Sequence, residues 1–309
     1  MSKKNLRFVK DYNLPINIFN DEMFSYYREL YKDFWPHEAE NLLNKEIERF
    51  NGNVDMWLED CGHLRDTIIE TLENSEAYKR FNSCDLSKYD IPNMNIGEHS
   101  LYTEETDGKF FISIDLKKAN FQALKHVGVL ASATYEDFIK YFGGSDYFAG
   151  SKYLRQVIFG KLNPKRQIKV EKYLIYQTHE MFLNFIDGFT LYSINSDELV
   201  YKVNDNLKLP LKEELRLFQN IVKAKLGIEV RVELVTIKRL PIVNSNGNKV
   251  DAYVRTNVHT GEEVLKKAST TFFPQIYKLW KGMEINEKDL TFFFEDQLAT
   301  FNKPLILTK

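Results

Sequence analysis

The hydrophobic rhythm of the chain changes several times along its length. From residue 21 to residue 75, apolar positions return every three or four residues, which predicts successive helices, with "SEAYKRF" as a last turn. "FFISIDLKKANF" breaks that period: Phe110 to Ile114 predict a strand, and Lys118 to Val127 a short helix. "YFGGSDYFAGS" (141–151) predicts a glycine-punctuated loop, as does "DIPNMNIGEHS" (90–100). The segment 152–186 is helical with a break near Asn163-Pro164, because proline suits the first turn of a new helix. "FTLYSINSDELVYKV" (189–203) reads as two buried strands around a polar turn. An amphipathic helix with a proline start and a glycine stop follows over 210–227. "IEVRVELVTIKRLPIV", "VDAYVRTNV" and "EVLKKAS" then predict a small antiparallel sheet, with Asn246-Gly247 as a hairpin signal. No internal repeat, heptad run or low-complexity tract interrupts this order.

The pattern predicts an α+β protein in three parts: a helical region over 1–95, a central core over 96–210, and a helix plus antiparallel sheet over 211–309. Composition adds little to that picture. Hydrophobic residues at 43% and charged residues at 28% are ordinary for a globular chain of 309 residues. The 23 Phe and 17 Tyr predict an aromatic core. Two cysteines, Cys61 and Cys84, exclude a disulfide framework and a four-cysteine zinc site. Cys61 and His63 have no further ligands at metal spacing, and His126 and His179 read as structural or surface groups. No apolar run reaches membrane-spanning length, so no membrane partner is expected and the cytoplasm is the default, a host's if the chain is viral or phage-derived. The Lys, Asn and Ile content suggests an AT-rich genome.

The net charge of −2 gives no global argument for nucleic acid, but its distribution is uneven. Residues 21–75 hold fourteen acids against five bases, which leaves the remainder basic. Residues 152–172 hold Lys152, Arg155, Lys161, Lys165, Arg166, Lys169 and Lys172 against Glu171 alone. Positions 165, 169, 173 and 176 are Lys, Lys, Tyr and Tyr, which share a helical face. Cations for phosphates beside an aromatic ring for a base suit a nucleotide-binding helix.

Asp115 ends an apolar strand, and Asp197 and Glu198 sit at the tip of the 189–203 hairpin. A lone carboxylate in a core costs several kcal/mol, so a strand-end acid is solvated, paired or metal-bound. If the two strands are neighbours, their acids converge and repel, and hard divalent cations relieve that repulsion. Two such ions about 3.5–4 Å apart support in-line phosphoryl transfer.

This order of motifs, strand-Asp-helix, basic helix and acid-tipped hairpin, resembles that of palm-domain polymerases. "NSDELVYKV" is similar to the third motif of family A DNA polymerases, roughly V-H-D-E-L-V-F-E-V, and "ISIDLKKANF" to the first motif of that family and of reverse transcriptases. The resemblance covers 115–203 and implies a palm-like antiparallel sheet. It implies metal binding by Asp115, Asp197 and the carbonyl of Leu116, with Glu198 as an accessory acid. Mg²⁺ or Mn²⁺ is the implied cofactor, and a primer–template with nucleoside triphosphates the implied partners, alone or within a larger replication or transcription assembly. Lys165, Arg166 and Lys169 would meet the triphosphate, Tyr173 the base pair, Arg155 or Lys161 the nucleic-acid backbone, and Asn120 the sugar. The chain departs from family A in Ser196, where the family has His, and in the shorter interval from Asp115 to Asp197, nearer that of reverse transcriptases.

Plainer alternatives stay open. Asp115 suits a helix N-cap, and Asp197-Glu198 suits a solvated turn. Asp115-Leu116-Lys117 also forms the D-x-K half of a PD-(D/E)xK nuclease, which Asp90 or Asp107 would complete. A catalytically inactive palm that binds or assembles partners is the third reading. In the 141–151 loop, Phe142 and Tyr147 suit either base stacking or packing.

Overall fold

Polar caps punctuate the amino-terminal helices in the computed structural model, which describes residues 2–17, 20–93, 100–204, 209–294 and 297–308. Ser2 caps α1 (Lys3–Asp11), Asn20 caps α2 (Asp21–Leu30), and α3 (His37–Glu48) follows Pro36. Asn53 caps α4 (Val54–Asn74). The expected last turn at 75–81 is instead a helix of its own, α5 (Glu76–Ser83). Ser75 is extended (ψ 140°), and its hydroxyl accepts from the Tyr78 N–H, so it closes α4 and opens α5. The predicted loop over 90–100 lies partly outside the described residues.

The central stretch runs β1 (Phe110–Leu116), α6 (Ala119–His126), α7 (Tyr135–Tyr141), α8 (Asp146–Gly150), α9 (Lys152–Lys161), α10 (Pro164–Leu183), β2 (Phe189–Ile194), β3 (Glu198–Val203), α11 (Lys212–Leu226) and β4 (Val230–Arg239). The 141–151 segment is less loop than expected, because α8 forms within it. Gly143 turns the chain at φ 80°, and a Cβ on Gly144 would meet Ile139 Cγ2 at 2.5 Å. Phe142 and Tyr147 pack inward; Tyr147 is fully buried. At the end of α11, Gly227 supplies the left-handed stop that the sequence predicts.

The chain ends with β5 (Ile242–Val243), β6 (Lys249–Val250), β7 (Tyr253–Asn257), β8 (Glu263–Lys266), α12 (Phe273–Lys281), β9 (Thr291–Phe294), β10 (Gln297–Thr300) and β11 (Ile306–Leu307). Here the structure differs from the separate small sheet expected. β4, β7 and β8 join the first three strands in one six-stranded antiparallel sheet of order β2-β3-β1-β4-β7-β8. β1 pairs with β4 from Phe110↔Thr236 to Leu116↔Val230, so it is central and hydrogen-bonded on both edges. The remaining short strands form two small satellite sheets, β10-β9 and β11-β5-β6.

Alternation along β1 divides the sheet faces. Ile112, Ile114 and Leu116 enter the large core with Leu199, Tyr201, Val232 and Leu234, on the side where α10 and α11 pack. Phe111 points the other way, into a smaller cluster with Val200, Val235, Ile237 and Tyr253. Ser113 and Asp115 share that second face. The large core is continuous from Phe8 through Trp57 and Leu174 to Tyr277, so all three regions drawn from the sequence share it.

Two buried carboxylates tie distant elements together. Asp11, fully buried in α1, accepts from Arg7 Nε (2.9 Å), Tyr147 Oη (2.7 Å) and Ser151 Oγ (2.7 Å), which joins α1 to α8 and α9. Asp289 pairs with buried Lys278 at 2.7 Å and accepts from Tyr26 Oη at 2.5 Å, which joins α12 and the turn after it to α2.

Candidate functional site

β1 carries Asp115 to the edge of the core, where the strand gives way to Lys118 in the left-handed region (φ 52°) and then to α6. The hairpin β2–β3 lies alongside. Asp115 stands opposite Glu198 in the β1–β3 register, and the Leu116 N–H donates to the Asp197 carbonyl at 2.8 Å. Asn195 N–H closes the turn onto the Glu198 carbonyl, also at 2.8 Å. The three acids singled out in the sequence are therefore brought to one end of two paired strands. Leu116 is at that end too, with its side chain buried.

Asp115 and Glu198 each have a local partner. Arg231, opposite Asp115 on β4, donates from a terminal nitrogen to Asp115 Oδ2 at 3.2 Å. Ser113 Oγ donates to Glu198 Oε1 at 2.6 Å. On β4, Glu233 accepts from Arg255 at 2.8 Å and from Asn257 at 3.3 Å. Lys266 on β8 lies within electrostatic reach of Glu198, and burial together with Arg255 pushes its ammonium down. Burial drives the Asp115 carboxyl up to about 6; Arg231 opposes that rise, and Glu198 and Asp197 add to it.

Glu171, the stray acid of the basic helix, belongs to the same neighbourhood and was not singled out by sequence reasoning. It is 3% exposed on the core side of α10, and Asn120 Nδ2 donates to its Oε1 at 3.0 Å. Burial first, and Asp197 second, push its carboxyl up to about 7. An acid with a folded pKa above its unfolded value favours folding less as it ionises. Stability contributed here is full near pH 4.5 and is lost as pH rises to about 7. Glu171→Gln keeps the acceptor for Asn120 and removes the ionisation. The variant should match the wild type at about pH 4.5 and exceed it above pH 7 by up to about 3 kcal/mol. Denaturant titrations across that range in a chelator would measure it; parallel pH profiles would contradict it.

The expected nucleotide-binding set is only partly assembled. Arg155 on α9 is half-buried, lies within electrostatic reach of Asp115, and stands 5.8 Å from the Tyr135 ring centroid. Lys118 stacks on the same ring at 5.2 Å and pairs with Glu136. Asn120 is near the acids through Glu171. The Lys/Tyr stripe of α10 is a different matter. Lys169 pairs with Asp90, Arg166 donates to the Cys84 carbonyl and lies over Phe81, and Tyr173 packs edge-on against Tyr89 at 5.2 Å. Lys161 and Lys165 are exposed. The reason is helical phase: the buried side of α10 is Gln167, Glu171, Leu174, Ile175 and Thr178, and positions 165, 166, 169 and 173 fall well away from it. Those four residues are not gathered with the acids.

Lys117 is exposed, and neither acid suggested as its nuclease partner is beside it. Asp107 accepts from the Arg239 N–H at 2.7 Å, near the start of β1, while Asp115 lies near its end. Asp90 is held by Lys169. His179 Nδ1 lies 2.6 Å from Tyr201 Oη inside the core, a structural pairing.

The donor set, carboxylates with a carbonyl nearby, fits a hard divalent cation in kind. Among the described residues no three His, Cys, Asp or Glu side chains are grouped so as to hold a metal ion. The repulsion of Asp115 by Glu198 and Asp197 is what such a cation would relieve. Among the described residues, no helix is long and apolar enough to cross a membrane. No protein-family model matches this chain, and no curated protein sequence matches it.

Proposed function

We propose that the chain is a compact palm-type nucleotidyltransferase that extends a primer 3′-hydroxyl with nucleoside triphosphates. The observation that carries this reading is the register of Asp115 opposite Glu198, with the Asp197 carbonyl bonded to Leu116 N–H. Acids far apart in sequence become neighbours at one sheet end, on an edge flanked by cations.

In this reading Asp115 and Asp197, with the Leu116 carbonyl, hold Mg²⁺ or Mn²⁺, and Glu198 is an accessory acid. When bound, the ions would lower the pKa of the attacking hydroxyl and neutralise the triphosphate and the leaving pyrophosphate. Arg155, braced on Tyr135, lies within electrostatic reach of Asp115, and Lys118, over the same ring, follows that acid by three residues. Lys266 and Arg231 add positive charge from the β8 and β4 side. In this reading these four meet the phosphates, in place of Lys165, Arg166 and Lys169. Asn120 is oriented by Glu171, which fixes the amide close to the acids.

The test is extension of a labelled primer on a template with Mg²⁺ or Mn²⁺, offering deoxynucleotides and ribonucleotides separately, for the wild type and Asp197→Asn. Wild-type extension that disappears in the variant is expected. Synthesis retained by Asp197→Asn would remove the reading. Primer shortening that survives it would favour the D-x-K nuclease, and an inert wild type a binding or assembly subunit.

A further inference from the structure

The basic stripe of α10 turns away from the strand-end acids and has a surface of its own. Lys165, Lys169 and Lys172 line one side of the helix, each about one turn, ~5 Å, beyond the last. Arg166 and Tyr173 fall on the flank beside them and fasten it to the chain after α5. Arg166 donates to the Cys84 carbonyl and lies 5.3 Å from the Phe81 ring centroid, while Tyr173 meets Tyr89 edge-on. Asn163 Nδ2 donates to Asn82 Oδ1 at 3.0 Å and joins the start of α10 to α5. Beside this seam is a hollow of about 130 Å³, lined by Phe81, Leu86, Tyr89 and Val127 together with Arg80 and Lys88. The Lys88 ammonium stands 4.8 Å from the Tyr89 ring centroid.

Charge here is out of balance. Arg80, Lys88, Lys161, Lys165 and Lys172 are exposed, and among the described residues none of them has a carboxylate partner. Lys169 is held by Asp90, and Asp85, bonded by Ser87, lies within electrostatic reach of Lys169 and Arg166. Glu171 faces the core instead. A row of unpaired lysines suits a chain of phosphates, each met as a point charge. An acidic protein surface would answer the charge but leave the apolar hollow unused. A nucleic-acid strand answers both, because an unpaired base offers a flat apolar face next to its phosphate. A duplex keeps that face stacked inside.

We propose that the outer face of α10, with α5 and the 87–89 turn, is a docking surface for single-stranded nucleic acid. Lys161, Lys165 and Lys172 meet backbone phosphates, and Arg80 and Lys88 hold the strand where an unpaired base enters the hollow. The surface shares a class of polymer with the proposed function but needs no step at Asp115 or Asp197.

The experiment uses the full chain in a chelator, without nucleotide. The probe is a fluorescein-labelled oligothymidylate of about 16 nucleotides, the upper site size of a single-strand module. Fluorescence anisotropy across a salt series gives the affinity and its salt slope. Lys161→Gln, Lys165→Gln and Lys172→Gln together should lower affinity at least about tenfold at ~0.1 M salt. The log–log salt slope should become shallower by about 2, at ~0.7 for each lost phosphate contact. The same three positions changed to Arg should keep the wild-type slope, and both variants should melt with the wild type. Cys84 lines the hollow and is exposed, whereas Cys61 is buried. Saturating oligonucleotide should therefore slow alkylation of Cys84 by N-ethylmaleimide several-fold in the wild type, a reading that needs no variant. Three results overturn the proposal: a wild-type salt slope in the glutamine variant, Cys84 alkylation unchanged by the strand, or equal protection of Cys84 by the matching duplex. Strand binding with Cys84 protected, in a chain that extends no primer, defeats the proposed function and leaves this surface standing. Primer extension alongside any of the three overturning results does the reverse.

Discussion

Asp115→Asn is expected to reduce primer extension by at least ~10³-fold while leaving the folded protein as stable as the wild type or more so. The two effects have one cause. The Asp115 carboxyl is driven up to about 6 because burial and the neighbouring Glu198 and Asp197 outweigh Arg231, so its charge is unfavourable to the fold. A neutral amide of the same shape removes that penalty, and Arg231 keeps Glu233 as its alternative partner. The same neutralisation removes an anionic oxygen donor that a hard divalent ion needs. Stability and activity thus move in opposite directions, as they do where a site is built from mutually repelling groups. Extension assays and melting curves on one preparation would measure both. Activity within tenfold of wild type, in a variant that melts normally, would remove Asp115 from the chemistry.

Asp11→Ala should be among the most damaging single changes for stability, lowering it by about 3–5 kcal/mol. Asp11 is fully buried and accepts hydrogen bonds from three side chains on three elements. Its loss leaves the Arg7 guanidinium without its counter-charge in a largely buried position, and leaves Tyr147 Oη and Ser151 Oγ without an acceptor in a closed core. The expected fall in melting temperature is on the order of 10 °C. By contrast Lys3→Ala, which breaks an ion pair that is about two-thirds exposed on both sides, should change little. Equal melting temperatures for Asp11→Ala and the wild type would mean that the α1 attachment is made by apolar packing alone.

The central motifs were legible because local chemistry decides them. β1 forms where predicted and runs two residues past Ile114, through Asp115 to Leu116; α10 starts at Pro164, and α11 stops at Gly227. The hairpin over 189–203 was equally plain, apart from a register shift between Leu191 and Ser193. What the sequence withholds is which strands pair. β4 reads as the opening strand of a separate sheet because nothing in its alternation says that Arg231 will face Asp115 across a gap of more than a hundred residues. The α10 stripe misleads for a different reason. A helix has two faces, and here charge marks the Lys/Tyr face whereas burial marks the other. The positions shared by Gln167, Leu174, Ile175 and Thr178 form the inward stripe, and Glu171 falls in it. An acid at such a position was the available signal for a buried carboxyl with a raised pKa.

The central place of β1 in the sheet has a consequence for the chain as it is made. Both neighbours of the strand are synthesised later: Glu198, which faces Asp115, follows Ser113 by 85 residues, and Arg231 follows Asp115 by 116. At a usual elongation rate, "FFISI" waits on the order of ten seconds outside the ribosome with both edges open. A short, uncharged, β-prone segment in that condition is an adhesive edge. The late β4 strand ends that exposure, so truncation anywhere ahead of residue 230 should turn a folding intermediate into an aggregating one, and holdase chaperones should bind nascent chains most in the interval between β1 and β4.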